Sequence, residues 1–387
     1  MKVLAVAPEP FFTPRGTPFS VYYRTLVACE LGATIDVLTY GEGEDVDIPG
    51  ARIVRIPRFA MLGPVKAGPS LQKAFLDVFV FAWMVALLAT RRYEVVHAHE
   101  EGAFMALFLK PFFGFKLVYD MHSSLPEQLS NFEFTDSRIL VGIFKTLERM
   151  TLRRADAVIT IGPLLGDYAR EKMPDPDRHF LIENSLFEQI RLAREPTDRP
   201  AEVPLPDGRP IVIYAGSFEP YQGLDLLLWA FAQVREQRPE AFLLMIGGTP
   251  DQVEAYRRKA GELGLDGHCR FTGRIPHSRV RDTIAKATVL TSPRIAGTNT
   301  PAKIYEQVAS GIPLVATRIP SHTQVLNDRI CFLVDPDPAA MSEGLLAALD
   351  DGERRGSVIA AAREHYHRHW SREAYREKME KLLEALA

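Results

Sequence analysis

Lys303 and Glu306 stand three positions apart in a segment that is predicted to be helical, so they share one face of that helix. Thr300 is a good N-cap, Pro301 suits the first helical position, and Gly311 follows the predicted end. A cation in the first turn and a carboxylate one turn further would suit a phosphate that is joined to a sugar with vicinal hydroxyls. A surface ion pair on an ordinary helix is an equally good interpretation of the spacing alone.

Short apolar runs flank this helix, TVLTS before it and PLVAT after it, and both are predicted to be buried strands of a parallel sheet. The loop between the first strand and the helix, PRIAGTNT, therefore lies at the carboxyl end of a strand. Open α/β sheets bind ligands at that edge, and the N–H groups at a helix start favour anions. Residues 288–317 are thus the first candidate for a binding site.

Histidines mark the ends of two further predicted strands, YEVVHAHE and FKLVYDMH. Because side chains alternate along a strand, His97 and His99 share one face, and Asp120 and His122 share one face of the other strand. Asp120 is therefore placed to orient the His122 imidazole. The alternative is a strand-end histidine that is hydrogen-bonded to the backbone.

The composition of the 387-residue chain is that of a globular protein with two domains of ordinary size. The net charge of -3 gives no reason to expect a nucleic-acid partner. Three cysteines lie far apart without metal-type spacing, and no signal-peptide cleavage pattern follows the first strand. These features predict a cytoplasmic location.

One region, from Ile48 to Tyr93, has a strong bias towards basic residues, with seven Lys or Arg against the single acid Asp77. It contains an apolar run, residues 75–89, that is shorter than the ~20 residues needed to span a bilayer. Basic residues beside Phe, Trp and Met could dock on anionic lipid, which predicts a peripheral position on the inner face of a membrane. A solvated basic face around a core helix is the alternative.

Strands and helices alternate through most of the chain, which predicts parallel βαβ units. The alternation lapses in IRLAREPTDRPAEVPLPDGRP, the best candidate for a linker. We therefore predict an α/β fold with one domain over residues 1–190 and another over 191–370. A C-terminal helix, 371–387, is expected to pack back on the first domain. Both domains are predicted to be doubly wound and Rossmann-like.

This layout, with the motifs YAGSFEPYQGLDLLL and IYEQVASGIPLVAT, resembles glycosyltransferase family 4 of the GT-B fold. The resemblance covers nearly the whole chain and is strongest from Ile211 to Asn327. It implies retaining transfer of a sugar from a nucleotide-diphosphate sugar, by two domains that face each other across a cleft. The second domain would bind the donor and the first would bind the acceptor.

The resemblance assigns the nucleotide ribose to Glu306 and the donor sugar to Asn299, which stands where the family often has an earlier glutamate. An amide keeps the hydrogen bonding to sugar hydroxyls but not the negative charge. The predicted donor-binding residues are Gly216, Ser217, Arg274, Arg294, Thr298, Asn299, Thr300, Lys303 and Glu306.

Two positions depart from the family pattern, since Ser217 and Gln222 stand where an Arg and a Lys usually hold the pyrophosphate. The leaving diphosphate still needs charge stabilisation. We expect it from Arg294, Lys303 and the N–H groups at the helix start, with Arg274 in reserve.

The resemblance also identifies His122 as the histidine that faces the transferred sugar, where it would orient hydroxyls or share developing charge. Gly16 resembles the glycine loop that lets backbone approach the diphosphate closely. The predicted catalytic residues are His122, Lys303 and Glu306, and the predicted acceptor-binding residues are Gly16, His99, Asp120 and Glu127.

Neither a metal nor another cofactor is predicted. The three Asp-x-Asp motifs lie in turns, which favour Asp for its own backbone hydrogen bonds, and HYHRHW places only two of its histidines on one helix face.

The predicted function is transfer to a lipid-linked or cell-envelope glycan, with a soluble acceptor as the alternative. A GT-B epimerase or hydrolase, or a donor-binding protein weakened by Ser217 and Gln222, also remains open. Sugar, nucleotide base and acceptor are left unnamed.

Overall fold

The computed structural model describes residues 1–13, 16–65, 70–125, 138–184, 202–350 and 352–387. The chain divides into two compact units, Met1–Glu195 with Arg372–Ala387, and Pro196–Ser371. The C-terminal segment therefore belongs to the first unit, although it follows the second in sequence.

The first unit is built on a seven-stranded sheet in the order β3-β2-β1-β4-β5-β6-β7, in which every neighbouring pair is parallel. Its strands are β1 Lys2–Ala7, β2 Thr34–Thr39, β3 Ala51–Arg55, β4 Val95–His99, β5 Lys116–Met121, β6 Ala157–Thr160 and β7 His179–Leu181. The inner strands β1, β4, β5 and β6 are buried on both faces, as their apolar runs predict, whereas the edge strands β3 and β7 are only partly buried.

Helices cover both faces of this sheet. They are α1 Thr17–Glu30, α2 Leu71–Thr90, α3 Gly102–Phe113, α4 Arg138–Arg154, α5 Pro163–Arg170 and α13 Arg372–Leu386, the last numbered by its place in the chain. One apolar cluster joins the sheet to α2 and α3, and a second joins its other face to α1 and α13. The C-terminal helix α13 contributes Tyr375, Met379, Leu382 and Leu386 to that second cluster.

The second unit repeats the architecture with a six-stranded parallel sheet in the order β10-β9-β8-β11-β12-β13. Its strands are β8 Ile211–Ala215, β9 Phe242–Ile246, β10 Cys269–Gly273, β11 Val289–Ser292, β12 Leu314–Thr317 and β13 Phe332–Val334. Its helices are α6 Leu224–Gln237, α7 Pro250–Glu262, α8 His277–Ile284, α9 Lys303–Ala309, α10 Pro320–Thr323, α11 Pro338–Asp350 and α12 Gly352–His369. Two doubly wound parallel sheets confirm the predicted GT-B class of fold.

Helix α2 is long and apolar enough to cross a membrane, by length and composition only. Its inner face packs Leu76, Val80, Met84 and Leu88 into the core of the first unit. A polar contact ties it to the sheet, since the Tyr40 hydroxyl donates to Asp77 at 2.6 Å. One face of α2 therefore packs on the sheet, and its opposite face is exposed.

The basic bias around α2 is weaker in the structure than the sequence predicts. Four of the seven cations pair with acids from elsewhere in the unit: Arg52 and Arg91 with Asp36, Arg55 with Asp45, and Lys73 with Glu101. Lys66 lies outside the described residues. The outer face is instead marked by exposed apolar side chains, with Leu71 80% and Val78 65% exposed.

Candidate functional site

Helix α9 carries the first pair of candidates, but it begins later than predicted. Its first residue is Lys303 and its N-cap is Ala302, without a side-chain cap. Pro301 only opens a tight turn, in which its carbonyl accepts from the Ile304 N–H at 2.9 Å. The Thr300 hydroxyl is buried and has no hydrogen-bond partner among the described residues, so the predicted capping role of Thr300 is wrong. The predicted stop is confirmed, because Gly311 has a φ of 75° just beyond the last turn.

The ammonium of Lys303 lies against the turn that follows β8. It donates to the Ala215 carbonyl at 3.1 Å and lies 4.3 Å from the centre of the Tyr214 ring. A Cβ added to Gly216 would come within 3.0 Å of Lys303 Nζ and 2.7 Å of the Tyr214 hydroxyl. A side chain at 216 would have to displace the Lys303 ammonium or the Tyr214 hydroxyl, so the glycine keeps space for the ammonium beside the backbone.

The Lys303 ammonium is easily deprotonated in this position. Burial, and then the positive charge of Arg294, lower its pKa from 10.5 to about 7. Arg294 comes from the loop after β11 and lies over the Tyr221 ring, 4.9 Å from its centre. Lys303 and Arg294 thus lie near the turn after β8, and neither forms an ion pair with an acid among the described residues. Unbalanced positive charge of this kind is typical of an anion site.

The two departures from the family pattern lie side by side in this region. The Gln222 amide donates to the Ser217 hydroxyl at 3.4 Å, and the Ser217 carbonyl accepts from the Tyr214 hydroxyl at 2.6 Å. The loop after β11 brings Arg294 to the same turn. The N–H of Ile295, the next residue, donates to the carbonyl of Tyr221 at 3.0 Å, and Tyr221 directly precedes Gln222. The second unit therefore places a cation beside the turn that lacks the usual pair.

Glu306 makes an ion pair that the sequence analysis did not foresee. Its Oε1 lies 2.9 Å from both Nε and a terminal nitrogen of Arg281, on α8. Glu306 is only 18% exposed and Arg281 33%. Arg281 is thus a candidate site residue that was missed. The local pattern gives no signal for it, because its partner lies on a different helix.

The remaining donor candidates divide into two groups. Thr298 and Asn299 are exposed in the loop before α9, and their carbonyls accept from Gln324 at 2.6 Å and from Arg294 at 2.8 Å. Arg274 is exposed after β10, an edge strand separated from β8 by β9. The carbonyl of Gly273, just before it, accepts from the Gly247 N–H at 2.9 Å, and Gly247 lies against the Gly216 carbonyl, so the assignment of Arg274 to the donor stays a prediction.

In the first unit, four ionisable side chains surround Asp120 at the ends of β4 and β5. Its carboxylate oxygens lie 2.6 Å from Arg24, 2.9 Å from His97, 3.4 Å from His99 and 3.3 Å from His122. Asp120 and Arg24 are fully buried. The geometry confirms that Asp120 and His122 point the same way.

Arg24 is the residue of this cluster that sequence reasoning missed. It also donates to the Ile182 carbonyl at 3.0 Å. A signal existed, since Arg24 is the lone cation in the middle of α1, whose residues Pro18–Ala28 are otherwise uncharged. An ionisable side chain in a buried run demands a partner.

The electrostatics keep the carboxylate charged and the imidazoles neutral. Burial would raise the pKa of Asp120, but Arg24 and the histidines outweigh it and hold that pKa well below 3.8. Burial lowers the pKa of His99 and of His122, against the attraction of Asp120. His99 Nδ1 and His122 Nε2 lie 3.2 Å apart, so one nitrogen must carry the proton and the other accept it. A neutral, held imidazole suits hydrogen bonding to a sugar hydroxyl.

His97, His99 and Asp120 place three possible metal ligands within 4.8 Å of one another. The guanidinium of Arg24 already neutralises the carboxylate, so a divalent cation would be repelled by a fixed positive charge at 2.6 Å from one of its ligands. This donor set does not fit a metal.

Gly16 precedes α1 with a φ of 46°, in the range that favours glycine, and open space surrounds the position of an added Cβ. Its neighbour Arg15 and the predicted acceptor residue Glu127 lie outside the described residues.

Comparisons with known proteins agree with the fold. Residues 22–185 match the family model described as "Glycosyl transferase 4-like domain", and residues 197–365 match "Glycosyl transferases group 1". The chain is a glycosyltransferase of the GT-B fold. Within that class it belongs to the group 1, family-4-like glycosyltransferases, as its motifs predict.

Relatives and solved structures extend over nearly the whole chain. A phosphatidyl-myo-inositol mannosyltransferase of Mycolicibacterium smegmatis is 25% identical over 386 residues, covering 96% of this chain and 91% of that protein. A D-inositol 3-phosphate glycosyltransferase of Corynebacterium efficiens is 26% identical, covering 86% and 82%. Sucrose-phosphate synthase from Thermosynechococcus elongatus superimposes with a TM-score of 0.75 at 20% identity, covering 100% and 98%. Anabaena HepE in complex with UDP gives 0.73 at 14%, covering 100% of each chain.

Proposed function

We propose that this glycosyltransferase moves a hexose, with retention, from a nucleoside-diphosphate sugar held by the second unit to a lipid-linked acceptor held by the first. The observation that carries the proposal is the Lys303 ammonium beside the bare backbone of Gly216, with Glu306 one turn further along α9.

The diphosphate is assigned to Lys303 and Arg294. Burial is the main cause that lowers the pKa of each, and a bound anion would stabilise their protonated forms by charge and hydrogen bonding. They take the place of the Arg and Lys that the family usually carries at positions 217 and 222. Because α9 has only seven residues, its dipole is short, and the side-chain charges supply most of the stabilisation. Ser217 would contribute hydrogen bonding rather than charge.

The ribose is assigned to Glu306, and the donor sugar to the exposed loop of Thr298 and Asn299. The largely buried carboxylate of Glu306 can accept hydrogen bonds from two adjacent hydroxyls, which is the arrangement that a ribose presents. On the acceptor side, His122 would hydrogen-bond the transferred sugar, with Asp120 and His99 fixing its ring and Gly16 contributing to acceptor binding.

The reaction needs no enzyme nucleophile. The bond from the anomeric carbon to the diphosphate oxygen breaks while the acceptor oxygen bonds to the same carbon on the same face. The acceptor proton passes to the departing phosphate oxygen, so charge and atoms balance. The protein contributes position and stabilisation of the negative charge that develops on the leaving group, for which Lys303 and Arg294 are the means. No divalent metal is part of this proposal.

A lipid-linked acceptor is supported by two independent features. A relative that is similar over 96% of this chain is named for the lipid phosphatidyl-myo-inositol, whereas another, similar over 86%, is named for the soluble D-inositol 3-phosphate, which fits the alternative of a soluble acceptor. The first unit also exposes apolar side chains on and near α2, among them Met61, Leu71, Phe75 and Val78. With most nearby cations paired, the proposed contact with the membrane is mainly apolar, at the depth of an interfacial helix.

The test is a transfer assay with vesicles that contain phosphatidylinositol, supplied with UDP-, GDP- or ADP-hexoses. We expect one donor to give a glycosylated lipid and to raise the melting temperature of the protein, since ligands stabilise the folded state they bind. Release of free sugar from the donor without vesicles, at the same rate as with them, would instead identify a hydrolase or epimerase. Nucleotide binding by calorimetry with no product from either incubation would identify a donor-binding protein.

Nucleotide binding should weaken as the pH rises above 7. The Lys303 ammonium titrates near pH 7 in the free protein, and a bound diphosphate favours its protonated form, so binding takes up a proton at higher pH. Between pH 7 and 9 the dissociation constant of UDP or GDP is expected to rise by up to about tenfold per pH unit. Calorimetry in two buffers of different ionisation enthalpy measures both the affinity and the proton uptake. Equal affinity at all pH values, or a slope that Lys303→Met retains, would contradict this assignment.

A further inference from the structure

The two nitrogens of Arg281 converge on a single oxygen of Glu306. Nε and a terminal nitrogen each lie 2.9 Å from Oε1. The other oxygen, Oε2, makes no hydrogen bond among the described residues. The guanidinium therefore anchors Oε1 through two nitrogens while leaving Oε2 open.

We propose that Arg281 is a positioning residue that holds Glu306 so that Oε2 meets the ribose hydroxyls of the donor. This inference rests on the proposed function, because it assumes that Glu306 binds the ribose. Arg281 itself need not touch the nucleotide.

Packing makes Arg281 a fixed anchor rather than a loose surface cation. Val280 on α8 packs against the apolar cluster that includes Ile304 and Val308 on α9, so the two helices are held together around the ion pair. A glutamate without this anchor would sample several rotamers and would lose side-chain entropy on binding. Arg281 removes that cost before the nucleotide arrives.

Charge gives Arg281 a second effect. Glu306 stands one helical turn from the cation assigned to the diphosphate, and an unpaired carboxylate there would repel the ligand. Arg281 neutralises it, which favours any nucleoside diphosphate whether or not the ribose hydroxyls are present. The two effects are separable, because only the first depends on those hydroxyls.

The experiment compares UDP, GDP and ADP with their 2′,3′-dideoxy counterparts by calorimetry on the full chain. We expect the wild-type protein to bind at least one ribonucleotide about 10- to 100-fold more tightly than its dideoxy form, the range for hydrogen bonds to a charged group. In Arg281→Ala this ratio should fall to about threefold or less. Glu306→Ala should give the same low ratio, and adding Arg281→Ala to it should not lower the ratio further.

Arg279→Ala is the matched control, since Arg279 lies on the same helix and pairs with Asp282, not Glu306. It should keep the wild-type ratio. Arg281→Lys keeps the positive charge but not the two nitrogens that hold Glu306. It should therefore bind the dideoxy form almost as tightly as the wild type does, with a ribonucleotide-to-dideoxy affinity ratio close to that of Arg281→Ala. A melting temperature within a few degrees of wild type shows that each variant is folded.

The outcomes separate this inference from the proposed function. If wild-type protein binds none of the three ribonucleotides, the proposed function fails and the inference falls with it. If wild type binds and discriminates while Arg281→Ala or Arg281→Lys keeps the full ratio, the positioning role is overturned and the proposed function stands.

Discussion

Replacing Lys303 by methionine is expected to lower kcat/KM for sugar transfer about 10²- to 10³-fold, the usual loss when a group that stabilises leaving-group charge is removed. The Lys303 ammonium lies beside Gly216, within 3.0 Å of the position of an added Cβ, and the variant would leave Arg294 as the remaining cation of the proposed pair. Initial rates with saturating acceptor measure the effect. Glu306→Ala should also cut transfer sharply.

Stability provides the control for this substitution. A lysine whose pKa falls from 10.5 to about 7 on folding costs stability below pH 10.5, because the unfolded chain holds the proton more tightly. Methionine removes that cost and keeps most of the side-chain volume, so the variant should melt at or above the wild-type temperature. Lys286→Met, which removes an exposed cation paired with Glu202, should change neither rate nor melting temperature appreciably. Wild-type turnover by both Lys303→Met and Glu306→Ala would refute the site.

Replacing Arg24 by methionine is expected to destabilise the protein by about 3–5 kcal/mol, the range for removing one partner of a buried ion pair. Asp120 would keep a buried carboxylate without its cation, since both side chains are at most 1% exposed. Urea unfolding followed by circular dichroism measures the loss. Arg178→Met breaks an exposed pair with Asp175 and should cost about 1 kcal/mol or less.

The pH dependence of unfolding in the Arg24→Met variant tests whether the lost charge causes the loss of stability. Without Arg24, the Asp120 carboxylate should raise the pKa of a neighbouring histidine, His99 or His122, above its unfolded value. Stability from such a group is present below pH ~6.5 and is lost as the pH rises through the folded pKa, so the loss relative to wild type should be smaller at pH 5 than at pH 8. Adding Asp120→Asn should recover part of the stability at pH 8. A loss that is equal at both pH values, with no recovery in the double variant, would show that packing rather than charge is responsible.

Ser217 and Gln222, which replace the family's usual Arg and Lys in the turn after β8, lie close to two other cations. The structure places Arg294 on the neighbouring Tyr221 ring, where it adds a second charge beside Lys303. A chain that lacks the family's cations at their usual positions therefore still concentrates positive charge at the end of β8. This argues for an active transferase over a protein that only binds the donor.

The sequence by itself determined the alternation of strands and helices, the parallel sheets, and the strand ends at which His99, Asp120 and His122 lie. These follow from local periodicity, since apolar runs of strand length and amphipathic runs of helix length are visible in a single window. The start of α9 was misplaced, because a proline and a preceding threonine satisfy the capping pattern while the chain forms only a tight turn there.

Only the tertiary structure decided which charges meet. Arg24 reaches Asp120 from α1, Arg281 reaches Glu306 from α8, and four cations near α2 pair with three acids outside that stretch. A count of charges along the sequence treats each one as solvated. The folded chain buries some of them, and burial without a partner is so costly that remote residues must supply one.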